Sequence, residues 1–416
     1  MRPGVAQTRL AEQVCLAVAR RERQIRDFTA ALVAIPTENP PGRYYRDCAQ
    51  LLVKKLRELR LPVELLRVPS GKRRGEQEPR YCVLASLGRG HRTLYFHGHY
   101  DVVPAQSPGQ FRPVVKQGAL HGRGSADMKS GLAAMIYAMA VLQDVGCPLD
   151  GRVGLVLVPD EETGGACGSR YLLESGRLGK DGIGMLTPEP TSGVIWNACR
   201  GAISLRVTVR GKPAHVGLHF QGMNAYERAL PIAQAFTDLE RRVRARKTGF
   251  PIHPAAARSS VLLVGGQSGG GSNFNAVPAE CWFTLDRRIN PEEPLEGEKR
   301  ALLQIVERFR RRGTQCSVEV FQEEPAAGFS PDEPVARALA ESARQVLGRT
   351  PRFEMCPGLL EIRFYAQRSV PAFAYGPGKL EVAHGPRECV TLQSVYAFTS
   401  IYALAAARVL APGAGT

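Results

Sequence analysis

The stretch Thr93-Leu-Tyr-Phe-His-Gly-His-Tyr-Asp-Val-Val-Pro104 joins an apolar run to a polar turn and decides the interpretation of the fold. Residues 93–97 have the length and apolar character of a buried strand. His99 and Asp101 follow where this strand gives way to a loop, and residues two apart in an extended segment lie on the same side. The His99 imidazole can then bind a metal ion while Asp101 accepts the second ring N–H. A hydrogen-bonded structural histidine is the alternative.

Strands and helices alternate around this stretch. The patterns predict strands over 80–87, 93–97 and 152–158, and a helix over 130–145. This alternation is typical of an α/β layer fold with a largely parallel sheet. In such sheets, ligands gather at the carboxyl ends of the strands. The same alternation of strand and helix patterns returns late in the chain, with a helix over 335–348 and a strand over 372–375.

The residues between 200 and 322 follow a different pattern. Strands are predicted over 202–210, 259–265, 280–289 and 316–321, and helices over 224–246 and 293–312. This β-α-β-β-α-β order is the ferredoxin-like arrangement. We therefore expect a discontinuous domain, 1–199 with 323–416, and an inserted domain, 200–322. The glycine-rich residues 265–272 lack the ending of a phosphate-binding loop and predict a hairpin connection.

Composition narrows the functional classes. The chain has 416 residues, of which 44% are hydrophobic and 23% charged, as in a soluble globular protein of two or more domains. The longest apolar stretch, 131–142, is too short to span a bilayer, and no secretory signal is recognised, so we expect a cytoplasmic protein without membrane association. The net charge of +16 comes without a nucleic-acid motif. It favours a basic surface that attracts anionic substrates over nucleic-acid binding.

Carboxylates also follow the predicted strands. Asp127 stands among glycines just before the predicted helix, where capping of the helix N-terminus is the alternative role. Glu161 and Glu162 follow a third acid after an apolar strand. Neighbouring carboxylates raise each other's pKa, and a dication would remove that cost. The alternative here is a solvated acidic loop.

Two further segments complete a set of ligand-type residues. Glu189 lies between two prolines that favour an extended backbone, and His384 follows the last predicted strand. With His99, Asp127 and Glu162, they supply two imidazoles and three carboxylates. Such a set suits two zinc ions that share a bridging carboxylate, and it also accepts cobalt or manganese.

Five motifs carry a family resemblance: His99-Tyr-Asp101-Val-Val-Pro, Gly122-Arg-Gly-x-x-Asp127-Met-Lys-x-Gly, Asp160-Glu161-Glu162-x-Gly-Gly, Glu189-Pro-Thr and Ala-His384. In this order they resemble the metallohydrolase family of acetylornithine deacetylase, succinyl-diaminopimelate desuccinylase, aminoacylase and glutamate carboxypeptidase. The resemblance implies a zinc-peptidase-like α/β/α catalytic domain. It also implies that the inserted ferredoxin-like domain serves as a lid and as the dimerisation domain of a homodimer.

The resemblance also implies roles for the motif residues. Asp127 would bridge two zinc ions and be followed by a cis peptide bond. His99 and Glu189 would complete one zinc site, and Glu162 and His384 the other. Asp101 would orient His99, and Glu161 would be the base that activates the attacking water.

Residues of the inserted domain match the family as well. The resemblance implies that His215 stabilises the developing oxyanion across the dimer, and that Asn275 and Arg288 contact the substrate. Arg288 would hold a substrate carboxylate in a bidentate manner, although the adjacent Arg287 leaves open which of the two points inward. Gly378 lies where the substrate loop of the family runs.

The expected reaction is amide hydrolysis on a small N-acyl amino acid or short peptide. Glu189 resembles the deacylase branch, whereas the dipeptidase and glutamate carboxypeptidase branches more often carry Asp, so a deacylase is favoured over an exopeptidase. Arg387 stands where deacylases often have Asn, which suggests selection of an acidic group. A catalytically silent, metal-binding dimeric scaffold is a remote alternative, because neither a ligand nor the base is missing.

Overall fold

The computed structural model describes residues 3–69 and 79–412. They form two compact units, the first within Met1–Asn197, Phe329–Phe353 and Phe364–Thr416, the second within Ala198–Gly328 and Glu354–Arg363. The sequence patterns did not indicate the return of residues 354–363 to the second unit. A buried ion pair holds this segment there, with 3.0 Å between Arg363 Nε and Glu324 Oε2.

The elements of the described residues are numbered along the chain. The helices are α1 (Pro3–Val33), α2 (Tyr45–Glu58), α3 (Lys129–Asp144), α4 (Ser169–Glu174), α5 (Ala225–Arg244), α6 (Leu295–Arg311), α7 (Pro334–Leu347), α8 (Ile362–Ala366) and α9 (Leu392–Val409). The strands are β1 (Val63–Arg67), β2 (Tyr81–Arg89), β3 (Thr93–His99), β4 (Val114–Lys116), β5 (Ala119–His121), β6 (Gly151–Val158), β7 (Gly182–Thr187), β8 (Ile195–Cys199), β9 (Gly201–Arg210), β10 (Ala214–His215), β11 (Val261–Gly270), β12 (Ala276–Val277), β13 (Glu280–Ile289), β14 (Cys316–Glu324), β15 (Ala327–Gly328), β16 (Phe353–Cys356), β17 (Ala372–Ala374) and β18 (Cys389–Thr391).

The first unit is built on a sheet with the order β1-β2-β6-β3-β7-β17-β8. Its four central strands, β6, β3, β7 and β17, run parallel, whereas β1, β2 and β8 pair antiparallel. All seven residues of β3 are buried. This is the central position expected of a strand without polar alternation.

Helices cover both faces of β3. Successive side chains of this strand point to opposite sides of the sheet, so each face has its own packing partners. Phe96 packs against Tyr402 of α9, with ring centroids 5.8 Å apart. Tyr95 and His97 on the other face pack against Tyr365 of α8, each with ring centroids 5.4 Å apart. The first unit thus has the expected α/β/α layers.

The second unit contains β9, α5, β11, β13, α6 and β14 in chain order, with an antiparallel sheet ordered β11-β13-β9-β14. This is the ferredoxin-like order of the sequence prediction. The prediction for residues 265–272 is wrong for most of its length, because β11 continues to Gly270. A shift in register between Val264 and Ser268 accommodates the glycines. Only glycine fits at 270, because its φ is +140° and a Cβ would lie 2.2 Å from the Glu280 carbonyl oxygen.

Within the described residues, no helix has both the length and the apolar character needed to cross a membrane. In the part of the chain that the structure describes, which includes all ten cysteines, none forms a disulfide bond.

Candidate metal centre and active site

Strand ends of the first unit bring the predicted residues together. His99 ends β3, Glu161 and Glu162 follow β6, and Glu189 follows β7. These three strands are parallel neighbours, so their carboxyl ends lie at one edge of the sheet.

The other two predicted ligands come from a second, smaller sheet, with the order β18-β5-β4. Asp127 follows β5, and His384 precedes β18. Because β5 and β18 are antiparallel partners, the end of one strand lies beside the start of the other. Met128 stands at the N-cap of α3, so the N-cap alternative for Asp127 does not hold.

Asp127 lies between the two imidazoles. Its Oδ1 is 3.3 Å from His99 Nε2, and its Oδ2 is 3.1 Å from His384 Nε2. His384 Nε2 is also 3.3 Å from Glu162 Oε1. Ligand atoms of His99, Asp127 and Glu189 lie within 4.8 Å of one another, and so do those of Asp127, Glu162 and His384. One carboxylate is therefore common to two clusters that could each hold a metal ion.

The charges of this cluster fit divalent cations. Oε1 of Glu189 is buried and accepts no hydrogen bond, and the buried Oδ1 of Asp127 and Oε1 of Glu162 each have an imidazole nitrogen 3.3 Å away but no well-formed hydrogen bond. Burial and the charge of Asp127 raise the pKa of Glu189 well above its ordinary value. Leaving buried acceptors unsatisfied is costly. A dication would satisfy these oxygens and favour the ionised carboxylates, so the donor set fits the expected dinuclear centre.

Asp101 is completely buried behind His99. His99 Nδ1 lies 3.0 Å from the Asp101 carbonyl oxygen and 3.3 Å from its carboxylate. The same carboxylate accepts hydrogen bonds from the backbone amides of Glu161 and Glu162, at 3.2 Å each, and from Asn39 Nδ2 at 2.9 Å. Asp101 thus links the His99 ring to the loop that carries the predicted base.

Glu161 begins a short 3₁₀ turn, Glu161–Thr163, instead of continuing the strand. The side chains of Glu161 and Glu162 therefore do not alternate as they would along an extended strand. The Glu161 side chain is half-buried and near the cluster. Burial lowers the pKa of His99, but surrounding carboxylates, Glu161 among them, outweigh burial and raise it well above its ordinary value.

The contacts of His97 are those of a structural residue. Its ring nitrogens lie 3.1 Å from the hydroxyls of Tyr365 and Ser169. Both partners belong to short helices on the same face of the sheet.

In the second unit, His215 and Asn275 lie side by side. β10 pairs with β12, and the Val216 amide donates to the Asn275 carbonyl at 3.0 Å. His215 is exposed, and its Nδ1 accepts a hydrogen bond from the Gly217 amide at 3.1 Å. In a neutral ring the proton then resides on Nε2, which can donate.

The structure separates the two adjacent arginines of β13. Arg287 is completely buried and binds Glu293 and Glu298, at 2.7 and 2.9 Å. Arg288 keeps 32% of its side chain exposed, beside Asp286 at 2.6 Å. Arg288 is therefore the more accessible of the two.

Gly378 and Arg387 belong to the segment around His384. Gly378 has a φ of +100°, and a Cβ there would lie 3.1 Å from the Cβ of Ala126. Arg387 is exposed.

Sequence reasoning missed three buried residues of this region. Asn39 belongs to the proline-rich turn after α1 and binds both Asp101 and Thr163, at 2.9 Å each. Arg123 and Glu388 form an ion pair with 2.5 Å between Nη1 and Oε2. Arg123 lies within one of the family motifs, and Glu388 directly follows Arg387. The sequence does not indicate that either of these two charged side chains is buried.

Comparisons with known proteins agree with this arrangement. Residues 95–408 match the model of peptidase family M20/M25/M40. A succinyl-diaminopimelate desuccinylase of Gluconobacter oxydans is 33% identical over 296 residues, which are 68% of this chain and 73% of the relative. An N-formyl-4-amino-5-aminomethyl-2-methylpyrimidine deformylase of Halalkalibacterium halodurans is 24% identical over 420 residues, 93% of this chain and 95% of the relative.

A solved structure shares the fold. A dinuclear metal-binding peptidase of the M20 family from Bacillus subtilis superposes with a TM-score of 0.68 and 18% identity, covering 94% of this chain and 99% of that chain.

These comparisons confirm the family predicted from the motifs, the α/β fold with a second ferredoxin-like domain, and an enzyme that hydrolyses amide bonds. They also agree with the coarser part of the cofactor prediction, a metal-dependent hydrolase. The family model matches most of the length of this chain, and the chain therefore belongs to peptidase family M20/M25/M40.

Proposed function

We propose that this hydrolase removes an N-acyl group from an amino acid or a related amine at a site that holds two zinc ions. The observation that carries the proposal is the placement of Asp127, whose two carboxylate oxygens face His99 and His384. Glu189 completes the first cluster and Glu162 the second. Cobalt or manganese would fit the same donors, because imidazole and carboxylate accept several metals.

The residues around the metal centre have different roles in the proposed reaction. When bound, the metal ions supply a water of lowered pKa and polarise the acyl carbonyl. Glu161 takes the proton of the attacking water and delivers it to the leaving amine. Asp101 holds the His99 ring from behind, which orients the ring and raises its basicity as a ligand.

The second unit supplies substrate contacts in this proposal. Across the dimer, Nε2–H of His215 donates a hydrogen bond to the oxygen of the carbonyl under attack, because the Gly217 amide occupies Nδ1. Arg288 holds the carboxylate of the amino acid, and Asn275 and the Gly378 loop border the substrate. The partial exposure of the Arg288 side chain supports this assignment, because the guanidinium of Arg287 is buried between two carboxylates.

A deacylase is supported over an exopeptidase by the names of the relatives. The desuccinylase and the deformylase are both named for removal of an acyl group. The net charge of +16 and the exposed Arg387 support an acidic acyl or amino-acid group.

A homodimer through the second unit is part of the proposal. Large apolar side chains are exposed there, among them Phe220 (71%), Leu263 (53%) and Phe274 (98%). Exposure of several large apolar side chains within one unit favours an interaction site there. The cytoplasmic location expected from the sequence stays a prediction.

A substrate panel combined with metal analysis tests the proposal. The protein, loaded with Zn²⁺, is assayed with N-succinyl, N-acetyl and N-formyl amino acids and with dipeptides. We expect two metal equivalents and the highest kcat/KM on an N-acyl amino acid. Preference for dipeptides would identify an exopeptidase, and metal binding without hydrolysis of any substrate would support the scaffold alternative.

A further inference from the structure

Arg123 and Glu388 form a buried ion pair beside the metal centre and have no role in the proposal above. Their side chains are 1% and 0% exposed, and Arg123 Nη1 is 2.5 Å from Glu388 Oε2. Arg123 follows β5 and Glu388 precedes β18, and the pairing of these strands brings them together, with the Gly122 amide donating to the Glu388 carbonyl at 3.1 Å. Arg123 precedes the bridging Asp127 by four residues, and Glu388 follows His384 by four.

Each partner holds the segment of the other. Oε1 of Glu388 accepts hydrogen bonds from the backbone amides of Ala126 and Asp127, at 3.0 and 3.1 Å. Nη2 of Arg123 donates to the His384 carbonyl at 3.0 Å. The pair therefore ties the backbone of Asp127, the carboxylate common to both clusters, to the backbone of His384.

Stability alone is a weak reason for such a pair. Removing two charges from water costs free energy, and an apolar pair of similar volume often stabilises a protein equally well or better. Positioning gives a better reason, because Glu388 Oε1 and Arg123 Nη2 each bond the backbone of a ligand segment, while Oε2 and Nη1 join the two side chains. Charge-assisted hydrogen bonds are short and directional, so they restrict both backbones.

We infer that Arg123 and Glu388 are positioning residues that set the separation of Asp127 and His384, and through it the affinity of the metal site these ligands share with Glu162. This inference rests on the metal centre of the proposed function. It does not depend on the identity of the substrate. Replacement of such outer partners of metal ligands typically costs about 10–100-fold in metal affinity.

Two variants test the inference. Glu388→Gln keeps an oxygen that can accept from the amides but loses the charge that Arg123 faces. Arg123→Lys keeps the charge but loses the fork that reaches Glu388 and His384 together. The control is Asp144→Asn, which breaks another arginine–carboxylate pair of the first unit, Arg21 with Asp144 at 2.5 and 2.8 Å. Asp144 ends the 16-residue helix α3, which begins beside Asp127, so the control lies about 24 Å along the helix from the metal centre.

The measurement is the affinity of the metal-free protein for Zn²⁺, determined by competition with a chromophoric chelator. Absorption spectra of the Co²⁺-loaded proteins and the Tm of the metal-free proteins accompany it. We expect both variants to bind one of the two Zn²⁺ equivalents about 10–100-fold more weakly, with altered Co²⁺ spectra. The control should keep wild-type affinity and spectrum even if its Tm falls.

Wild-type Zn²⁺ affinities in both variants would overturn the inference, and so would equal weakening in the control. If Glu388→Gln does not fold, Arg123→Lys decides alone. A wild-type protein that binds both equivalents but hydrolyses no N-acyl substrate would refute the proposed function and leave this inference standing. A wild-type protein that binds no Zn²⁺ would overturn both.

Discussion

The two units differ in how they hold their candidate residues. In the first unit, His99, Asp101 and Glu189 are buried at the ends of central strands. In the second unit, His215 is exposed and Arg288 keeps about a third of its side chain in solvent. Residues that hold a metal ion must be fixed by their surroundings, whereas residues that receive a substrate must remain accessible. His384 departs from this contrast, because it belongs to the first unit and keeps 50% of its side chain exposed.

The two units also differ in which parts of the candidate active site they contain. The first contains two clusters of ligand-type residues and the candidate base. Within the described residues, the second unit contributes to neither cluster. Metal binding should therefore depend on the first unit, while turnover should need both.

The largest effect is expected from Asp127→Ala. The substitution removes the carboxylate common to both clusters, so Zn²⁺ content should fall and hydrolysis should drop by about 10⁴-fold or more, given the several kcal/mol that the metal ions contribute. Metal analysis and kcat/KM check it, with the exposed Asp332→Ala as the control. Full metal content in Asp127→Ala would refute the bridging role.

Glu161→Gln should separate catalysis from metal binding within the first unit. The amide cannot take a proton from water, so kcat should fall by about 10²–10⁴-fold while Zn²⁺ content stays at the wild-type level. Glu174→Gln, at the exposed end of α4, is the control. Full turnover by Glu161→Gln would exclude Glu161 as the base.

His215→Ala tests whether the second unit takes part in the chemistry. Loss of a donor to the developing oxyanion should lower kcat by about 10²–10³-fold, with a smaller change in KM and unchanged Zn²⁺ content. His219→Ala removes an exposed histidine from the same turn and should leave kcat unaltered. If both substitutions have the same small effect, His215 takes no part in the reaction, and the two units differ only in how exposed their candidate residues are.

The smallest effect is expected from Arg387→Ala. Loss of an exposed cation should lower kcat/KM for an N-succinyl substrate by about tenfold, which corresponds to about 1.4 kcal/mol, and leave an N-acetyl substrate unchanged. Arg60→Ala removes an exposed cation elsewhere and serves as the control. Equal preference for succinyl, glutamyl and acetyl substrates in wild type and variant would remove Arg387 from the specificity assignment.

Much of the fold could be predicted because periodicity is a local property. The buried run at β3 and the strand over Glu280–Ile289 show their character in their own residues. The strand nature of residues 265–270 could not be predicted this way. Glycine disfavours strands, and only pairing with β13 and a register shift keep this segment extended.

The candidate site shows the same division. Motifs placed His99, Asp127, Glu162, Glu189 and His384 in one expected centre, and the structure brings their ligand atoms together. Asn39 was missed because its partner Asp101 lies 62 positions away in sequence. The difference in burial between Arg287 and Arg288 also needed the fold, because Glu293 and Glu298 pair with Arg287 and not with Arg288.

By itself, the sequence determined the α/β character of the first unit, the ferredoxin-like order of the second, and the residue types suited to a metal centre. These properties follow from local periodicity and from the chemistry of single side chains. Only the tertiary structure decided that Asp127 faces two imidazoles, that Asp101 joins His99 to the Glu161 loop, and that Arg123 pairs with Glu388. The reason is that burial and orientation depend on contacts between segments far apart in the chain, and no local pattern specifies those contacts.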